Sequence, residues 1–230
     1  GIEVPDPEAV RWLPGGQDFL WTSEGDFARG FGPALRTSRA TDGAQLRNYT
    51  LPAPFQPRPG ERQGPRDNDT LEGLALTPNG RTAGLALEGP WLQDGPRATP
   101  ASGGAPVRIT AIDVASGRAL RQLAYQPDAV PHKSPLPGGY ATNGVSEILA
   151  DGPDHLLVLE RSYTLGVGNS IRLYRIAVHG AGADGASDTL GLAALTPGNH
   201  TPVPKTLVAD FAHLGLKRLD NIEGMTWGDP

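Results

Sequence analysis

DNDTLEGLALTPNGRTAGLALEGP, residues 67–90, contains an apolar run at Leu74, Ala75 and Leu76, a Thr-Pro-Asn-Gly-Arg turn at 77–81 and a second apolar run at Leu85, Ala86 and Leu87. Two short apolar runs joined by a turn of this composition read as a tight β-hairpin. Glu72 opens the hairpin and Glu88 closes it. Antiparallel pairing returns the two to the same end, where opposed side chains stand roughly 5 Å apart and diagonal ones roughly 7–8 Å. Carboxylates that close repel one another unless a cation, an arginine or a shared proton intervenes.

The same unit recurs on both sides. Upstream, Glu8 leads through Trp12 and a Pro14-Gly15-Gly16 turn into Phe19, Leu20 and Trp21, and the hairpin closes at Glu24. Downstream, Glu147 leads through a turn at 151–154 into Leu156, Leu157, Val158 and Leu159, and closes at Glu160. A fourth opening stands at Ile222-Glu223-Gly224-Met225. The opening glutamates are offset by 64, 75 and 76 residues, a spacing regular enough to indicate a repeat architecture. Each hairpin is followed by two alternating apolar and polar stretches, at 34–38 and 45–51, 107–114 and 119–125, and 171–178 and 204–211.

Repeated units of four antiparallel strands are the signature of a β-propeller, in which each unit is one blade. The expected fold is therefore all-β, with residues 1–230 forming a partial propeller domain of three blades and the start of a fourth. A closed ring needs at least about four blades, so the missing ones are expected from the rest of a longer chain or from a neighbouring protein. Between the strands, the proline-rich stretch 52–66 reads as a surface spacer, and the loop 90–106 as functional or mobile because of its length. The Gly- and Ala-rich stretch 180–198 reads as a flexible surface loop.

Composition narrows the function. With 31 glycines and 23 prolines in 230 residues, the chain suits a turn-rich β fold, and no apolar run is long enough for a membrane-spanning helix. The absence of cysteine removes disulfides, thiolate nucleophiles and cysteine metal sites. A net charge of −5 without a Lys/Arg cluster argues against a nucleic-acid partner. The five histidines fall singly, which leaves no zinc-type spacing. Ser146, in Gly-Val-Ser-Glu-Ile, lacks the second glycine and the strand-to-helix context of a nucleophile elbow. Asn68, Asn143 and Asn221 recur just before three opening glutamates, as turn caps or as metal ligands. The four tryptophans, Trp12, Trp21, Trp91 and Trp227, read as core between blades.

Leu71-Glu72-Gly73-Leu74, Val145-Ser146-Glu147-Ile148-Leu149, Leu157-Val158-Leu159-Glu160-Arg161-Ser162, Pro204-Lys205-Thr206-Leu207 and Asp220-Asn221-Ile222-Glu223-Gly224-Met225 together resemble the phytase-like esterase domain of secreted bacterial proteins. The resemblance spans nearly the whole chain. It implies a propeller with acidic residues at its centre, an activity on phosphate esters, and a secreted or cell-envelope location.

First strands line a propeller channel. Glu8, Glu72, Glu147 and Glu223 are therefore expected to ring one mouth, with Glu24, Glu88 and Glu160 beside them and Asp69 near. Arg161 and Arg66 are placed to reach this ring. Such a ring suits a hard cation such as Ca²⁺ bound by oxygen ligands, which bridges to the phosphate of a small phosphorylated substrate or ester. Glu72, Glu147, Glu160, Arg161 and Glu223 are then the catalytic candidates. In the alternative, each glutamate accepts backbone hydrogen bonds and locks neighbouring blades, and the protein is a non-catalytic binding or structural module of a cell-envelope or extracellular assembly.

Overall fold

The computed structural model describes residues 5–58, 60–179, 183, 185–216 and 218–228. Among them are three four-stranded antiparallel sheets, each built from four strands consecutive in sequence. The first contains β1 (Pro7–Trp12), β2 (Asp18–Ser23), β3 (Ala34–Arg39) and β4 (Gln45–Asn48). The second contains β5 (Leu71–Leu76), β6 (Thr82–Leu87), β7 (Val107–Asp113) and β8 (Ala119–Tyr125). The third contains β9 (Ala141–Ala150), β10 (His155–Thr164), β11 (Gly168–Ala177) and β12 (Lys205–Asp210). These are the expected propeller blades. They lie side by side through their first strands, β1 against β5 and β5 against β9, and do not close a ring.

The hairpin that opens the second blade shows how local chemistry sets the register. At its turn the Gly80 N–H donates to the Thr77 carbonyl at 2.8 Å, and the Asn79 side chain accepts from the Arg81 N–H at 3.0 Å. That closure pairs Leu74 with Leu85 and Leu76 with Ala83, so Leu74, Leu85 and Leu87 are fully buried. Against them pack Val145, Ile148 and Val158 of the third blade. A Cβ on Gly73 would stand 2.9 Å from the Ile148 nitrogen, so the absence of a side chain there lets β5 approach β9.

Two features depart from a plain repeat. Strands β9, β10 and β11 are ten residues each, against six or seven in β5 to β8, so the third blade projects beyond its neighbours at one end. The second concerns the stretch expected as a flexible loop. Its residues 180–182 and 184 lie outside the described set, but the remainder is a strap laid along the outer edge of the second blade. The Thr189 and Val203 N–H groups donate to the Gln122 and Ala124 carbonyls of β8, at 2.8 and 2.9 Å. Beneath the strap, Arg108 is 1% exposed and grips both oxygens of Asp94, at 2.7 and 2.8 Å, while also donating to the Leu192 carbonyl. Leu195 is buried and its N–H donates to Asp94 at 2.7 Å. Backbone groups unpaired at a sheet edge are here satisfied by a segment of the next unit, which overrides the loop-like composition.

Three further expectations change. The spacer 52–66 packs Phe55 edge-on against Trp91 with ring centroids 5.4 Å apart. Trp91 is core, but Trp12 and Trp227 are 63% and 60% exposed. Residues 220–227, expected to begin a fourth blade, form no ladder. They lie along β9 instead, where Ser146 donates to the Ile222 carbonyl and Trp227 to the Ala150 carbonyl.

Candidate functional site

Each first strand carries a bulge at the same place, and the bulges decide which side chains meet. Pairing outside the bulge joins Pro7 to Ser23, Leu71 to Leu87 and Val145 to Glu160. The next residues along the paired strands are therefore equivalent: Glu8, Glu72 and Ser146 on the first strands, and Glu24, Glu88 and Arg161 on or after the second. An extra residue re-aims the chain at such a point. In the third blade the two glutamates stand one position away from the mouth, and a serine and an arginine take their places.

The mouth is a cavity of about 710 Å³ lined by Asp6, Glu8, Glu24, Asp69, Glu72, Glu88 and Glu223, together with Arg97 and Arg161. Seven carboxylates face two guanidinium groups, so full ionisation would leave five negative charges without a counter-charge. One oxygen from each of Asp6, Glu8 and Glu24 lies within 4.8 Å of the others, and the same holds for Glu24, Glu72 and Glu88. Arg161 bridges Glu88 at 2.7 Å and Glu223 at 2.6 Å, and Arg97 pairs with Asp69. Glu24 accepts from the Thr70 N–H at 2.6 Å, which joins the first blade to the second. Glu72 differs from these. It is 6% exposed, and its Oε2 is buried with no hydrogen-bond donor.

The electrostatics follow from this crowding. Burial and then the charges of Glu88, Glu8 and Glu24 push the Glu72 carboxyl up to about 10. Burial, then Asp6 and Glu223, raise Glu8 to about 7. Burial raises Glu24 to about 7 against the Thr70 N–H that favours its charge, and Glu88 to about 7 against the pull of Arg161. Without a further positive charge the site holds protons near neutral pH. Each raised value is the cost of collecting like charges in a partly dry place.

Glu147 and Glu160, expected in the ring, sit elsewhere and are fully engaged. Glu147 takes the position that Gly73 occupies in the second blade, between blades. It accepts from the Leu74 and Ile148 N–H groups at 3.0 and 2.8 Å and pairs with Arg11 at 2.8 Å. Burial raises its carboxyl and Arg11 opposes the shift. Glu160 accepts from Tyr125 Oη at 2.6 Å, the Asp128 N–H at 3.0 Å, Asn143 Nδ2 at 2.6 Å and Lys205 Nζ at 2.6 Å. Both hold blades together, which was the alternative role.

Arg66 also lies off the ring, donating to the Pro90 and Gly95 carbonyls at 3.1 and 2.6 Å. Asn143 belongs to the Glu160 cluster, whereas Asn68 and Asn221 line the mouth. Asp6 and Arg97 carried no motif, although the length of the loop 90–106 marked the segment that carries Arg97. His155 opens β10 and lies far from the mouth lining. The donor set of the mouth is carboxylate and amide oxygen, with no imidazole or thiolate, which fits a hard cation and not zinc.

Comparison with known proteins gives one family. Residues 2–230 match the family described as Phytase-like, esterase-like activity of phytase. No curated protein matches the chain. Among solved structures, the hydrazine synthase of Kuenenia stuttgartiensis is similar over 75% of this chain at 15% identity, with a TM-score of 0.41. The similar region is 39% of that protein's chain, so the present chain spans well under two thirds of its length.

Proposed function

The chain belongs to the phytase-like family, and on that premise we propose that its acidic mouth is a cation-dependent site for hydrolysis of phosphoric esters. One observation carries the reading. The Glu72 Oε2 is buried without a donor among seven carboxylates, and only a proton or a cation relieves it.

Glu8, Glu24, Glu72 and Glu88, with Asp6 and Asp69 beside them, would hold Ca²⁺ or a similar ion through oxygen. When bound, such an ion polarises phosphoryl oxygens and eases deprotonation of water. The chain's own groups supply the rest. Arg161, held by Glu88 and Glu223, keeps one guanidinium face fixed at the mouth, where it orients a phosphate. Hydrolysis breaks the ester P–O bond, joins a water oxygen to phosphorus and returns a proton to the departing alcohol oxygen. A mouth carboxylate left outside the ion's shell would take the proton from water and release it to the departing alcohol. Glu147 and Glu160 have no part in the reaction. No helix among the described residues is long and apolar enough to cross a membrane. A secreted or cell-envelope setting belongs to this reading, where calcium modules work with a Kd of roughly 10⁻⁴–10⁻³ M.

Calorimetric titration with Ca²⁺, paired with turnover of p-nitrophenyl phosphate with and without chelator, tests the proposal. Turnover is expected to vanish in chelator, to return with Ca²⁺ and to be lost in Glu72→Gln together with calcium binding. Turnover indifferent to chelator, or a Glu72→Gln protein that binds calcium as before, overturns it.

A further inference from the structure

The extra length of the third blade lies directly over the mouth. Past Arg161, β10 continues through Ser162, Tyr163 and Thr164, paired with Asn143, Thr142 and Ala141 of β9. Three residues of strand add roughly 10 Å. Side chains alternate along a strand, so Tyr163 stands on the same face as Arg161 and looks into the mouth. Its cross-strand partners Thr142 and Asn169 line the same cavity.

The overhanging strands are polar, but they carry an exposed aromatic pair and an apolar tip. Tyr163 and Tyr140 form a tilted pair with ring centroids 6.5 Å apart and are 39% and 52% exposed. Beyond them, at the strand tip, Leu165 and Val167 are 39% and 52% exposed. Leu136 is 51% exposed and lies against the same tip, close to Gly166. Exposed apolar side chains scattered singly need no explanation, but a contiguous group on the rim of a polar site does.

Resting on the reading of the mouth as the phosphoester site, we propose that this ridge seats the organic arm of the substrate, which is therefore an aryl or alkyl phosphate. The phosphate lies among the mouth carboxylates and Arg161, and the apolar arm runs outward over Tyr163 and Tyr140. Two observations on the ridge select this occupant. It is continuous with the mouth, sharing Tyr140, Thr142, Tyr163 and Asn169 with the cavity lining. Its outer part, Leu136, Leu165 and Val167, offers no side-chain hydrogen-bonding group, so the hydroxyls of a polyol reaching past the tyrosines would lose water there without replacement. Aromatic faces reward a flat or aliphatic group instead.

The test compares binding of 1-naphthyl phosphate and glycerol 3-phosphate to the calcium-loaded full chain, alongside their turnover. The aryl ester is expected to bind about tenfold more tightly, in line with one or two ring contacts. That ratio is expected to fall to near one in Tyr140→Ala/Tyr163→Ala and to shrink in Val167→Ser, which lies further from the mouth. A ratio near one in the unaltered protein, or one that both variants leave unchanged, overturns the inference even if both esters are hydrolysed. A ratio near ten without turnover of either ester sustains the ridge and overturns the hydrolase. Binding to neutral phosphatidylcholine vesicles that is lost in Val167→Ser would assign the ridge to a lipid surface and overturn the inference.

Discussion

The carboxylate cluster at the mouth and the cluster around Glu160 are both buried in the same fold, yet they are built oppositely. Glu160 is 2% exposed and receives four donors, one of them the Lys205 ammonium. Lys205 is itself boxed between Asp128 at 2.7 Å and the rings of Tyr174 and Tyr125. Glu72 is 6% exposed and has a buried oxygen with no donor. Burial alone does not separate a lock from a site. The number of donors does: a carboxylate whose hydrogen-bonding capacity is met has done its work within the fold, and one left short is open to an outside partner.

The largest break in this comparison is expected from Glu160→Ala. The change leaves the buried Tyr125 hydroxyl and the Asp128 N–H without an acceptor and removes one of the two carboxylates that hold Lys205, and stability in urea is expected to fall by about 3–5 kcal/mol with calcium affinity unchanged. A loss of calcium affinity beyond that due to unfolding would show that the two clusters are one. Next in size is calcium itself. At a hundred times its Kd it is expected to stabilise the protein by about 2.7 kcal/mol in thermal or urea melts, and to do so at the mouth alone. The same gain should persist in Arg11→Gln, where only the Glu147 lock is disturbed.

An effect of similar size, roughly 3 kcal/mol, is expected when Glu72→Gln is compared with the parent in chelator near pH 7. It should be a gain, because the variant no longer has to hold a proton there. The sign is fixed by the raised carboxyls. A carboxyl whose folded value exceeds 4.5 binds protons more tightly when folded, so its contribution is whole below about 4.5 and is lost as pH rises. In chelator the parent should therefore lose stability as pH climbs from 4.5 through about 7, as Glu8, Glu24 and Glu88 ionise, and further toward 10 with Glu72. Melting curves in which stability rises across that window would contradict the crowding. The smallest change is expected from Arg97→Gln. Its pair with Asp69 is partly exposed and worth under about 1 kcal/mol. Removing its charge should tighten calcium binding about twofold to threefold by titration, since a guanidinium competes with a cation for the same carboxylates.

The repeat, the hairpins and the four-stranded blades were legible because period-2 patterning and turn residues are local signals. Glu72 and Glu88 were legible for the same reason, since one tight turn fixes their register. Glu147 and Glu160 looked alike on spacing, but relative to the bulge that all three blades share, Glu147 comes one residue late and Glu160 one residue early, which turns both away from the mouth. Matching apolar-Glu-Gly in Leu71-Glu72-Gly73 to Val145-Ser146-Glu147 would have exposed that offset. Arg97 and Asp6 depend on where a loop and a strand entry pass in space, which no periodicity encodes. The strap was misread for the converse reason. Its Gly- and Ala-rich composition is that of a mobile loop, and only the edge of β8 supplies the partners that order it.

That strap also imposes an order of events on synthesis. Chains emerge from the ribosome N-terminal end first, and units tend to fold as they appear. When residue 125 has emerged, all four strands of the second blade exist, but the carbonyls and N–H groups that finish the Arg108–Asp94 pair lie near residues 189–195. The second blade is thus left with an open edge and a half-satisfied ion pair until about 70 more residues have been made. A truncation before residue 189 would leave it so permanently, and such a fragment should be recovered as aggregate where the full chain is soluble.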